Sequence, residues 1–414
     1  MKDDFKSVPK KPIEKDHSLT PEINSNPEPA FVRPETMAQN EEIIETVQPE
    51  TDTPKPKLKN SKKPWYKFHY SRKQWIIIAV ASVLLIGGGV GAYFAFFKKD
   101  KPAVVVKKEE PKPEPPKPTT EPATLTGLTV PLAINKLPVT GVMIENSPDA
   151  RPQAGLKDAG VVFEAVAEGG ITRFLALFQH DSLPDYMGPV RSVRPYYLDY
   201  LQGFDAAIAH VGGSPDALAQ IKNQGVKDLD QFANGGSYKR VSNRYAPHNV
   251  YTSIANMLDL QKKKGFSSTY TGFPRKAEKA VSPAIKTSID FNISSFLYNV
   301  HYDYEVATNS YKRSEGGKPH TDERSGSQLN PKVVIAIVVT KGVASDGVHS
   351  TYQNIGSGKA YVFQDGMVTE GTWSKSSSKA QITFADGAGA AIAMNAGQTW
   401  ISLVSKATDV SAKP

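Results

Sequence analysis

One stretch of this chain limits every fold it can adopt. From Trp75 to Phe97 there is no charged residue, and lysines crowd both sides. As a helix rising ~1.5 Å per residue, it is long enough to cross the ~30 Å hydrocarbon layer of a membrane. It lies too deep in the chain for a secretory leader, and no Ala-x-Ala cleavage site follows it. Lys59, Lys62, Lys63, Lys67, Arg72 and Lys73 precede it, whereas Lys98, Lys99 and Lys101 are soon diluted by Asp100, Glu109 and Glu110. Basic residues stay on the cytoplasmic side. The pattern therefore predicts a single-pass helix in the cell membrane, with the N-terminus inside and the larger C-terminal part outside. Trp75 and Tyr93 fall at the expected interfaces. Gly87 and Gly91 form a small-xxx-small pair that could seat a second copy, giving a homodimer.

The arms around this helix read as unfolded. Residues 1–74 are polar and dotted with proline, the composition of a disordered cytoplasmic tail. Residues 98–124 are a Pro/Lys/Glu spacer. In polyproline II geometry, at ~3 Å per residue, it would span up to ~80 Å as a stalk through a wall layer. Much of the net charge of +8 sits beside the apolar run. No basic stripe interleaved with aromatics occurs, so nucleic acid is not an expected partner. The sequence has no cysteine, which excludes disulfides, thiolate metal sites and a lipidated-cysteine anchor.

Two folded domains follow. In the first, residues 125–273, strands are expected at Thr140–Ile144, Val161–Glu168, Ile171–Gln179 and Ala206–Val211. Helices are expected at Arg194–Gln202, after the Ser214 cap with Pro215 at the first position, and after Thr252 or Ser253. Gly169-Gly170 supplies the positive φ of a two-residue hairpin turn. The mixture implies an α+β or α/β fold. In the second, residues 285–404, alternating runs at Val333–Val339, Ala360–Phe363, Gln381–Phe384 and Trp400–Val404 are parted by Gly316-Gly317, Asp365-Gly366 and Asp386-Gly387. They imply a mainly antiparallel β domain with room for one helix.

The chemistry-bearing residues gather in the first domain. If Glu168 pairs with Ile171 and Val166 with Arg173, then Glu164, Glu168 and Arg173 share one face. That could be an ion ladder, or carboxylates poised for acid/base work with Arg173 keeping them ionised. A one-residue slip would move the set to the other face. Arg191 and Arg194 open a helix and suit an anion; the alternative is pairing with Glu145 or Glu164. His210-Val211-Gly212-Gly213-Ser214-Pro215 can cradle a phosphate or be a plain tight turn. Ser214 is a poor nucleophile candidate: the elbow pattern wants glycine where Asp216 stands, and Pro215 has no N–H for an oxyanion. Pro247 stiffens the turn that aims His248 and Asn249. A zinc or manganese site from Glu164, Glu168, His210 and His248 has no supporting spacing, so neither metal nor cofactor is expected.

Several of these stretches resemble the YerB family of bacterial envelope proteins, many of them lipoproteins of unknown function. They are Val142 to Gln153 (Val-Met-Ile-Glu-Asn-Ser-Pro-Asp-Ala-Arg-Pro-Gln), Glu168 to Phe174, Gly188 to Pro195, His210 to Pro215, Ala246 to Tyr251, Gly356 to Tyr361 and Gly397 to Ile401. The resemblance implies two domains in this order outside the cytoplasmic membrane. It carries no settled activity. The expectation is a membrane-anchored extracytoplasmic protein that binds an anionic cell-wall component or a wall-synthesis partner without catalysis. The ligand residues would be Arg173, Arg191, Arg194, His210, Gly212, Gly213, Ser214, His248 and Asn249. The rival is a hydrolase or transferase acting on wall glycan or lipid phosphate, with Glu164, Glu168 or His248 as catalytic groups.

Overall fold

A computed structural model describes residues 71–97 and 118–414. The tail and most of the proline-rich stalk lie outside these residues. The end of the stalk segment is not spacer: Thr120–Pro122 pairs antiparallel with Thr129–Pro131. Arg72–Phe97 forms one helix of 26 residues (α1). By length and composition it could cross a membrane. Gly87 and Gly91 lie one turn apart on its exposed surface.

The remainder is mixed α/β, with a mostly antiparallel, β-rich C-terminal region. In chain order its main elements are β1 (Thr140–Glu145), β2 (Val161–Glu168), β3 (Ile171–Phe178), α2 (Pro195–Gln202), β4 (Ala207–Ala209), α3 (Pro215–Gln224) and α4 (Ile254–Lys264). Then come β5 (Ser288–Phe291), β6 (Val300–Glu305), β7 (Ser310–Glu315), β8 (Lys318–Pro319), β9 (Val333–Val338), β10 (Gly356–Gln364), β11 (Met367–Lys375), β12 (Thr383–Asp386), β13 (Thr399–Val404) and β14 (Val410–Lys413). Among the described residues no α-helix follows α4, so the helix allowed for in the second domain is not there.

The sheet does not respect the boundary between the two sequence halves. Nine strands run in the order β12-β11-β10-β9-β13-β2-β3-β1-β4. The last long strand, β13, lies between β9 and β2 and pairs parallel with both. Strands buried on both faces read as continuous apolar runs rather than alternating ones, as Val333–Val338 does; Thr399–Val404 is also buried throughout. One face packs against α2 and α3 through Phe163, Leu175, Tyr197, Leu201 and Ile221. The other is covered by α4 next to Val142, Ile144 and Val162. Further along that face lies a second sheet of order β8-β7-β6-β5-β14, packing Ile289, Phe291 and Tyr302 on Val334 and Ala336. Gly141 lets α2 lie close, since a Cβ there would meet Leu201 Cδ1 at 2.3 Å.

The β2–β3 hairpin turns at Gly169-Gly170, both at positive φ. Its register slips, however. Glu168 faces Ile171, but Val166 faces Thr172 and Ala165 faces Arg173, with a bulge between Val166 and Glu168. One extra residue reverses the faces beyond it. Arg173 and Glu168 therefore point to the α2 side and Glu164 to the other, so the three-residue face expected from the sequence does not form. Tyrosines satisfy the groups the bulge frees. Tyr196 Oη donates to Val166 O at 2.8 Å, Tyr197 Oη to Arg173 O at 2.6 Å, and Val166 N donates to Tyr352 Oη at 3.1 Å.

Glu164 is sealed in the interior. Arg313 Nη2 donates to its Oε1 at 2.9 Å, and Trp400 Nε1 and Ser402 Oγ donate to Oε2 at 3.0 and 2.9 Å. Both charged partners are 0% exposed, and the Arg313 guanidinium lies 4.4 Å from the Trp400 ring centroid. Removing one partner of such a pair strands the other's charge. Arg313→Ala should lower the unfolding free energy by about 3–5 kcal/mol, read as the shift of the equilibrium urea transition.

Candidate functional site

Strands β9, β13, β2, β1 and β4 all run the same way, so their C-terminal ends share one edge of the sheet. In open α/β sheets ligands bind beyond that edge. Glu145 ends β1, Glu168 ends β2, and His210 follows β4. The strand-like segment 190–193 runs along the same edge, bridging to Ile144 on one side and to Gly213 on the other. The singled-out residues thus come to one edge. They do not converge in one cleft but divide into separate constellations.

In the first, Glu168 is gripped by two arginines: Arg173 Nη2 on Oε1 and Arg194 Nη2 on Oε2, each at 2.6 Å. Burial disfavours its charge, but the attraction and hydrogen bonds of the two guanidinium groups outweigh that and hold Glu168 below the usual carboxylate range. A carboxyl held down in this way is not a general acid near neutral pH. Arg173 and Arg194 are buried, with their other amino groups donating to Ser192 O and Val193 O. They form an internal ion triad rather than an anion grip. Glu164, sealed on the opposite face, has no access to a substrate.

The Gly212-Gly213 turn is also spent. Gly212 N donates to Asp230 Oδ1 at 3.2 Å, and Ser214 N donates to Val193 O. Buried His210 contacts Gly212 O at 2.7 Å through Nδ1 and Asp228 Oδ1 at 3.0 Å through Nε2. A carboxylate already occupies the position where a phosphate would sit. Ser214 precedes α3, but its hydroxyl makes no capping bond and has no partner among the described residues. Asn249 is likewise engaged, accepting from Arg240 Nη1 at 2.8 Å and donating to Val241 O.

His248 is different. Its Nδ1 lies 2.9 Å from Glu145 Oε2 and 3.3 Å from Ser147 Oγ, and Arg191 Nε lies 3.2 Å from the same Glu145 oxygen. Arg191 is thus paired with Glu145, the structural alternative that the sequence left open. Because serine and carboxylate meet the same ring nitrogen, this is not a Ser-His-Glu relay, which needs them on opposite nitrogens. Nε2 has no partner among the described residues. His248 lines a polar cavity of about 550 Å³ with Asp149, Arg151, Arg244, Tyr245 and Glu323.

Sequence reasoning missed most of this cavity. Arg244 is fixed by Asp149 O, Pro152 O and Glu323. Glu323 also accepts from Tyr186 and Tyr251. Arg151 is held on one side by Asn146 Oδ1 at 3.0 Å and lies 3.3 Å from Glu315; its Nη1 has no partner among the described residues. Behind Arg151 is a buried network. Arg313 Nε donates to His320 Nδ1 at 2.9 Å, His320 Nε2 contacts Gln153 Oε1 at 2.9 Å, and Asn146 Nδ2 donates to Glu315 Oε1 at 2.5 Å. Burial, reinforced by Arg313 and Arg151, pushes His320 well below its usual range, so the ring is neutral and its 3.5 Å approach to Glu315 is no ion pair. The strand Ser-Tyr-Lys-Arg-Ser-Glu held a usable signal: Tyr311, Arg313 and Glu315 are two apart and so share a face, here the buried one.

The description "Protein of unknown function (DUF3048) N-terminal domain" matches residues 125–267, and its C-terminal counterpart matches residues 289–401. The chain is 30% identical over 287 residues to "Putative lipoprotein YerB" of Bacillus subtilis, covering 68% of this chain and 86% of that protein. This chain belongs to the DUF3048 family. The crystal structure of YerB from Bacillus subtilis superposes with a TM-score of 0.64 at 28% identity, over 70% of this chain and 99% of that one. The cavity draws on both DUF3048 segments, with Arg151, Arg244 and His248 from the N-terminal one and Glu323 from the C-terminal one.

Burial pushes Glu315 up to about 7; Arg313 opposes the shift and Glu164 adds to it. The folded-state pKa lies above the ordinary 4.5, so the folded state holds this proton more tightly than the unfolded chain does. The associated stability is complete below pH 4.5 and is lost as pH rises through about 7. Glu315→Gln, which is always neutral, should unfold at higher urea than wild type at pH 8 and lose that advantage by pH 5. A difference unchanged between the two pH values would contradict this.

Proposed function

We propose that this chain is a membrane-anchored protein of the cell envelope. Its DUF3048 region stands outside the cytoplasmic membrane and binds an anionic envelope component in the cavity of Arg151, Arg244 and His248, without catalysis. The anchoring part rests on the apolar helix α1, on the excess of basic residues before it, and on the lipoprotein description of the relative. Helix and lipid are alternative tethers for the same kind of domain. With this orientation, protease added to intact protoplasts should degrade the part after α1 and leave a protected N-terminal fragment. Full protection of the C-terminal part would reverse the orientation.

The binding part rests on one contrast. Arg173 and Arg194 spend their charge inside the fold on Glu168, whereas Arg151 and His248 line an open cavity, and Arg151 Nη1 and His248 Nε2 have no partner among the described residues. Groups held by neighbours yet unsatisfied on one side are pre-organised for a ligand. Guanidinium and imidazole favour a phosphate or carboxylate. A hydrolytic reading retains one foothold: Glu145 on Nδ1 orients His248 as a base would be oriented, with Nε2 open. Among the described residues no nucleophilic side chain is placed at Nε2, and Glu164 and Glu168 are committed elsewhere, so binding is the better-supported function.

The full chain in detergent micelles should be stabilised against heat by anionic wall polymer or muropeptide. The affinity should fall as salt is added, and Arg151→Ala or His248→Gln should weaken it at least tenfold. Release of product during the titration would favour hydrolysis instead.

A further inference from the structure

We propose that the ligand is an acidic saccharide of two or more sugar units, lying across Arg151 with one unit in each of two adjoining cavities. The proposal rests on the anion-binding reading above and adds the class and length of the ligand. Arg151 is the shared wall. It lines the 550 Å³ cavity of His248 and also a second cavity of about 200 Å³, formed with Glu315, Lys318, His320 and Thr321. A lone phosphate or carboxylate would use only the middle of this space.

The larger cavity has the make-up of a sugar subsite. Tyr245 is 91% exposed at its wall, presenting an aromatic face that no part of the described chain covers. Asn243 and Asp149 stand on the same lining. A sugar ring offers an apolar C–H face for such an aromatic plane and hydroxyls for the amide and carboxylate beside it.

The smaller cavity has unfilled polar capacity. Glu315 Oε2 is buried and accepts no hydrogen bond, a rare state for a polar atom in a folded interior. Lys318 stands at the same lining, exposed, and its ammonium has no ion-pair or hydrogen-bond partner among the described residues. A hydroxylated or amide-bearing ring would satisfy both. The elevated pKa of Glu315 lets it either accept from or donate to a hydroxyl near neutral pH. A peptide strand fits less well. The adjoining edge strand β8 has only two residues, Lys318 and Pro319, and proline offers no N–H for pairing.

The test is calorimetric titration of the full chain in detergent micelles. The probes are N-acetylmuramic acid, the disaccharide N-acetylglucosaminyl-N-acetylmuramic acid, lactose 1-phosphate as a phosphorylated disaccharide, the neutral N,N′-diacetyl form of chitobiose and inorganic phosphate. At least one acidic disaccharide should bind tenfold or more tightly than the acidic monosaccharide, inorganic phosphate and chitobiose. Which one does so tells whether the charge is a carboxylate or a phosphate. Lys318→Ala, an exposed change that leaves the fold alone, should abolish the disaccharide's advantage while sparing the monosaccharide. Tyr245→Ala should weaken both sugars and not phosphate. Equal affinities for one and two units, untouched by Lys318→Ala, would overturn the two-subsite proposal and leave the anion site standing. Binding of none of the probes would overturn both.

Discussion

The fold that follows α1 depends on how one buried charge is kept. Glu164 points into the interior from β2, in the N-terminal DUF3048 segment; two of its three donors, Arg313 and Trp400, come from the C-terminal one, and the third, Ser402, directly follows it. Burial alone would disfavour the Arg313 charge, but Glu164, Tyr302 and Glu315 more than compensate and push the guanidinium's pKa up. Ion pairs of this kind add little net stability over a well-packed apolar core, but they are costly to misassemble. Only the native docking of the two segments satisfies all the groups together, so the pair acts as a specificity lock. From it the network continues through His320 and Gln153 to Asn146 and Arg151. The cavity wall is therefore positioned from the core outward.

Local signals in the sequence were legible where local physics decides the outcome. The Gly169-Gly170 turn, Pro at the start of α2 and α3, and the Ser253 cap of α4 each mark an element where the structure has one. The hairpin register was not legible, because nothing local marks the bulge before Glu168. Its cause is tertiary: tyrosine hydroxyls from α2 and from Tyr352 satisfy the groups it frees. The cost of that single slip was the whole grouping of Glu164 with Glu168 and Arg173.

The site was legible only in part, for a related reason. The stretches around Glu145 and His248 stood out as motifs, and they do meet. But charge alone does not tell a spent arginine from a free one. Arg191 and Arg194 looked like ligand groups because their acidic partners are distant in sequence. The roles of Arg151 and Arg244 come from what surrounds them: Asn146 and Glu315 hold one side of Arg151 and leave another open, and Asp149, Pro152 and Glu323 fix Arg244. The parallel placement of β13 beside β2 was equally hidden, since pairings over such separations leave no periodic trace in either strand.

That placement bears on how the protein is made. β2 and β9 each have β13 as one neighbour, and β13 is among the last strands of the chain. In a chain synthesised from its N-terminus, the N-terminal segment emerges before β13 does. Until Thr399–Val404 follows, one edge of β2 is unpaired and Glu164 lacks two of its three donors, Trp400 and Ser402. The two segments therefore complete their shared sheet together rather than one after the other. A chain that stops short of β13 leaves open apolar strand edges on both β2 and β9, the kind of edge that pairs with other chains.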